Sequence, residues 1–130
     1  MKKYLYFQTA AAIAGDDATE EAIMVPADSL AAIEPKDAST ARMVFSGKGI
    51  GNEDGATNLI TVELDVASTA FKEFCRQIAK FINADVLNRD NSAYSKDGFL
   101  VVASSVAGDV SYFHSSVTAC NNIKIATAVA

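Results

Sequence analysis

The chain has no tryptophan, two prolines, two cysteines and a single histidine among its 130 residues. Each scarcity removes a class of chemistry. Two cysteines and one histidine cannot supply the paired CxxC or CxxH knuckles of a structural zinc site. Cys75 and Cys120 are far apart in sequence and read as buried free thiols serving as small apolar side chains; a disulfide or a reactive thiol are the alternatives. Any Ser–His or Cys–His mechanism must use His114, because no other imidazole exists. Ser104, Ser105, Ser111, Ser115 and Ser116 surround it in sequence, yet no nucleophile elbow is present. His114 therefore reads as a structural residue near a strand start. No catalytic, cofactor-binding or metal-binding residue is expected.

Long apolar runs are missing too. No stretch approaches the ~18 uninterrupted apolar residues of a membrane-crossing helix. Lys2-Lys3 followed by Tyr4-Leu5-Tyr6-Phe7 begins like a signal peptide, but the apolar run stops at Gln8-Thr9, so the chain is expected to be soluble and not secreted. Basic stripes are also lacking. Sixteen acidic residues against eleven basic ones give a formal charge of −5. That balance aids solubility and repels a phosphate backbone, which argues against nucleic-acid binding.

What remains is an ordinary globular composition, half apolar and 21% charged, at a length suited to one domain over residues 1–130. Lys3–Gln8 is rich in strand-favouring side chains. Ala22–Val25, closed by Pro26, predicts a second strand; a helix opening at Asp17 is its rival, cut short by the proline. Residues 27–39 read as a loop with one helical turn that pins Leu30 and Ile33 into the core. Ala41–Phe45 and Asn58–Leu64 predict two strands joined by a Gly-rich tip. The strongest element is a helix over about 69–83, with Phe71, Phe74, Cys75, Ile78, Phe81 and Ile82 on one stripe. Asp65 or Ser68 can cap its start and Asn83 its end. Residues 85–97 read as a surface loop. Gly98–Ser104 predicts a central strand, Val110–His114 a short extended piece, and Val117–Ile125 a last strand. Strands that do not alternate with helices point to an α+β domain: a mainly antiparallel sheet of about six strands with the helix packed on it.

Three segments mimic sites. Gly47-Lys48-Gly49-Ile50-Gly51 lacks the spacing of a phosphate-binding loop and leads into a strand, so it reads as a hairpin tip. Asn52-Glu53-Asp54 has oxygen ligands but not the alternate spacing of a calcium loop. Asp16-Asp17 and Glu20-Glu21 read as a solvated turn. The aromatic residues say more. If one face of Lys3–Gln8 meets the core, its alternate residues point outward, and outward aromatics suit a subunit contact. Tyr4, Tyr6, Tyr112 and Phe113 are the candidate interface residues, with core membership as the alternative.

The opening Lys3-Tyr4-Leu5-Tyr6-Phe7 and the stretch Met24-Val25-Pro26-Ala27-Asp28-Ser29-Leu30 resemble small structural proteins of marine tailed bacteriophages, cyanophages among them. Gly98-Phe99-Leu100-Val101-Val102-Ala103 and Tyr112-Phe113-His114-Ser115-Ser116-Val117-Thr118-Ala119 are similar to the same group. The resemblance implies a virion-associated or assembly protein, such as a capsid decoration or cement subunit, in the virion or host cytoplasm. Its partners would be its own copies, as a homo-oligomer, and other virion proteins; it carries over no catalytic residues. The competing expectations are a small ligand-binding module or enzyme subunit with a pocket near His114, and a protein that binds a host partner.

Overall fold

The computed structural model describes residues 3–10, 21–46, 57–83 and 98–128. The chain lays down β1 (Tyr4–Gln8), β2 (Ala22–Pro26), β3 (Leu30–Asp37), β4 (Thr40–Ser46) and β5 (Thr57–Asp65). It continues with the helix α1 (Phe71–Asn83), then β6 (Phe99–Ser104), β7 (Ser111–Tyr112) and β8 (Ala119–Ala128). The α+β class is as expected, but the strands do not form one sheet of about six. Among the described residues, eight strands form two four-stranded sheets: sheet A in the order β2-β1-β6-β7 and sheet B in the order β3-β4-β5-β8. Sheet B is antiparallel throughout. In sheet A, β1 runs parallel to β6.

The two sheets share one core. Leu5 and Phe7 of β1, Val25 of β2 and Leu100 and Val102 of β6 face Ala41, Met43 and Phe45 of β4 and Ile60, Val62 and Leu64 of β5. The Phe7 and Phe45 rings meet edge-on across the layers, with centroids 5.7 Å apart, a favoured aromatic geometry. The helix closes this core with Phe74, Ile78 and Phe81, all buried, while Phe71 and Ile82 are half-buried at the rim. Burying each such side chain is worth about 1.5–3 kcal/mol relative to exposure. Its expected stripe is therefore correct, and its start is sharpened by a 3-10 turn over Ser68–Ala70. Asp65 belongs to β5, not to a helix cap. At the other end, the Asn83 amide donates to the Ala79 carbonyl at 2.9 Å. Lys3 donates to the Ile82 carbonyl at 2.5 Å and lies over the Phe81 ring. The Lys3 contact satisfies an orphan carbonyl of the last turn, and the ammonium complements the negative end of the helix dipole.

The expected loop over 27–39 is a 3-10 turn at Ala27–Ser29 followed by β3. Pro35 is tolerated there because β3 is an edge strand, with register shifts near Leu30 and Pro35. The last strand is also longer than expected, reaching Ala128. The Gly-rich tip, the Asn52-Glu53-Asp54 run, the pair Asp16-Asp17 with Glu20, and the 85–97 segment lie outside the described residues. Among those described, no helix is long and apolar enough to cross a membrane.

Candidate functional site

The alternation of β1 fixes two faces. Leu5 and Phe7 point into the core, so Tyr4 and Tyr6 point away from it. The ladder places Tyr4 opposite Pro26 and Tyr6 opposite Met24 on β2. On the β6 side, Tyr4 stands opposite Phe99 and Tyr6 opposite Val101. The outer face of sheet A thus carries two cross-strand rows of apolar and aromatic side chains. Met24, in the second row, is 51% exposed. Tyr6 and Phe99 rings lie 5.7 Å apart, and the Tyr6 hydroxyl donates to Gln8 Oε1 at 2.7 Å. Burial, reinforced by the charge of Asp109, pushes the Tyr6 phenol above its ordinary range.

The outer face of sheet B is built differently. Arg42 lies between Glu34 at 3.1 Å and Glu63 at 3.5 Å, and Lys36 reaches Glu63 at 3.2 Å. Exposed ion pairs of this kind add little stability. They do mark a surface furnished for water, which the outer face of sheet A is not.

The four expected interface residues do not share one surface. Tyr4 and Tyr6 lie together on the outer face of sheet A, whereas Tyr112 and Phe113 pack against the core. Phe113 meets Phe74 edge-on at 5.9 Å. The Tyr112 hydroxyl is 2.8 Å from Ser105 Oγ, which also accepts the Cys120 N–H at 2.9 Å. One serine therefore joins β7 and the end of β6, in sheet A, to β8, in sheet B.

His114 lines an open depression of about 700 Å³ with Val110, Tyr112, Phe113, Val117 and Thr118. Its Nδ1 accepts the Ser116 N–H at 3.1 Å, with Ser116 Oγ at 3.0 Å. That nitrogen is an acceptor, so the proton of the neutral ring sits on Nε2. The Gln77 amide, donating at 2.6 Å, and then Arg76 hold the Glu73 carboxyl below its usual range. Ser116 is buried, and its N–H and hydroxyl both turn toward the imidazole of its near neighbour, a local turn that serves structure first.

Cys75 and Cys120 are free. Burial pushes the Cys120 thiol up to about 12 and raises that of Cys75, the opposite of what a reactive thiolate needs. Among the described residues, no three His, Cys, Asp or Glu side chains are grouped to hold a metal ion. Met24 and Val101 are members of the outer face that the sequence did not single out. Their own strands offered no sign of it, because cross-strand register becomes known only in the folded sheet.

No family model, curated protein or solved structure matches this chain.

Proposed function

We propose that this chain is a non-enzymatic assembly protein that acts by self-association through the outer face of sheet A, with a second copy as the occupant. The observation that supports this reading is the contrast between the two outer faces: Tyr4, Tyr6, Met24 and Val101 on sheet A against the ion-paired Glu34, Arg42, Glu63 and Lys36 on sheet B. Charge favours a second copy as the occupant. Two chains of net charge −5 approach most readily where carboxylates are few, and the cross-strand rows through Tyr4 and Tyr6 carry none themselves, although Asp109 is near enough to act on Tyr6. A two-fold contact through such a face is self-complementary. The resemblance to small phage structural proteins supplies the setting: a virion-associated subunit, decoration- or cement-like, that meets its own copies and other virion proteins.

The test is Met24→Glu, which places a carboxylate on the edge strand of the face, directly beside Tyr6, without touching the core. Its solution mass falls below that of the parent chain while its far-ultraviolet circular dichroism is unchanged. Glu34→Gln, on sheet B, leaves the mass as it was. An unchanged mass for Met24→Glu removes the outer face of sheet A from the account.

The open depression beside His114 favours a second reading, a small-ligand module. Against it, the polar groups of that depression already serve one another: His114 Nδ1 with Ser116, and Tyr112 with Ser105. Ligand-induced shifts of the His114 ring protons in a small-molecule screen are the measurement that would revive it.

A further inference from the structure

Four strand edges border the two sheets, and three of them are blunted. The β7 edge is two residues long. The β2 edge has five residues and ends at Pro26. The β3 edge carries Pro35 and Lys36 and two register shifts. These are the usual ways in which a sheet avoids pairing with another chain. The β8 edge carries Lys124 and one register shift near Cys120, but no proline, and it is the longest strand among the described residues, ten residues, with its only described ladder to β5. Ser105 occupies its beginning through the Cys120 N–H. From residue 122 to 128 its far side has no backbone partner among the described residues.

We propose that this edge pairs with the β8 edge of a second copy, antiparallel about a two-fold axis, so that two four-stranded sheets B become one continuous eight-stranded sheet. The inference rests on the self-association reading and adds a second, distinct contact to it. Symmetry and charge select the register. A two-fold axis perpendicular to the sheet keeps both cores on the same side, so facing residues must have the same parity. Centring on residue 123 would draw the irregular stretch between Cys120 and Asn122 into the ladder, where β8 already slips against β5. Centring on 124 sets two lysines directly opposite, which is destabilising. Centring on Ile125 pairs 122 with 128 and 124 with 126, uses the whole regular stretch, and separates the lysines. Main-chain hydrogen bonds then supply the affinity, as in strand addition generally. Two different isologous contacts on one chain, the face of sheet A and the edge of sheet B, extend an assembly beyond a dimer.

The experiment uses the full chain with a nitroxide at Lys124→Cys in a Cys75→Ser background, alone and combined with Met24→Glu. Circular dichroism confirms that each variant folds. Edge pairing places the two residues 124 diagonally, about 7–8 Å apart at the backbone, and gives strong dipolar broadening. A contact through sheet A alone stacks four sheets about 10 Å apart, which leaves the labels about 30 Å apart or more. Strong broadening that persists with Met24→Glu, together with a lowered mass, is the expected result. Only a long distance, abolished by Met24→Glu, overturns the β8 pairing and leaves the face reading standing. Strong broadening with no change of mass in Met24→Glu keeps the edge contact and removes the face. A monomer with no inter-label coupling ends both.

Discussion

Tyr6 lies directly opposite Met24 across the β1–β2 ladder, on the side of sheet A that faces away from the core. Its neighbours Leu5 and Phe7 are wholly buried. One five-residue strand thus has two apolar faces. That is the pattern of a strand covered on both sides, and in the proposed assembly another copy covers the outer one.

The inner face carries most of the folding energy. Phe7 and Phe45 are both inaccessible to solvent and bridge the two sheets. Phe7→Ala is predicted to cost about 3–5 kcal/mol, the transfer term plus a cavity that packed sheets cannot close. Urea unfolding followed by circular dichroism reads it directly. A loss below about 1 kcal/mol would place Phe7 outside the shared core, since ordinary surface substitutions stay near that range.

Ser105 is a second test of how the sheets are joined. Its hydroxyl accepts the Cys120 N–H and contacts the Tyr112 hydroxyl. Ser105→Ala strips the acceptor from that amide and is predicted to cost about 1–3 kcal/mol. The Cys120 amide should then exchange its hydrogen faster than in the parent chain, while the β4–β5 amides keep their protection relative to global unfolding. Unchanged exchange at Cys120 would show that the Ser105 bridge does not hold β8.

Much of this arrangement is legible in the sequence, and the losses have physical causes. The helix is plain because six apolar residues fall at helical spacing. Ala41–Phe45 and Asn58–Leu64 are plain because they alternate, one face meeting the core and the other the Arg42–Glu63 side. β3 is hidden because an edge strand exposes both its faces: of its eight residues only Leu30 and Ile33 pack against the core, and Pro35 argues for a loop. The division into two sheets is hidden because it depends on non-local pairing, with β1 joined to β6 across the intervening sheet-B strands and helix. The outward side of Tyr4 and Tyr6 follows from the alternation of β1, but their neighbour Met24 emerges only with the β1–β2 register. Tyr112 and Phe113 look like Tyr4 and Tyr6 in sequence, yet the turn after β6 brings them back onto the core.

Cys120 gives the fold a pH dependence with a definite sign. Its thiol, which ordinarily titrates at 9.0, is pushed up to about 12 in the folded chain, chiefly by burial. The folded state therefore holds its proton more tightly than the unfolded state. The associated stability is complete below pH 9 and is lost as pH rises from there through about 12. Cys120→Ala is predicted to flatten the decline of stability with pH in that window, by up to about 1.4 kcal/mol per pH unit. Parallel stability curves for the two chains above pH 9 would show that the thiol is not buried in the folded state. In the same window, thiol reagents should modify half-buried Cys75 before Cys120.

Self-association is the central claim, and static light scattering on the untagged chain across a concentration series tests it most directly. The account predicts a mass that is a multiple of the 13.7 kDa chain, growing with concentration as face and edge contacts fill. A mass of 13.7 kDa at every concentration would contradict it.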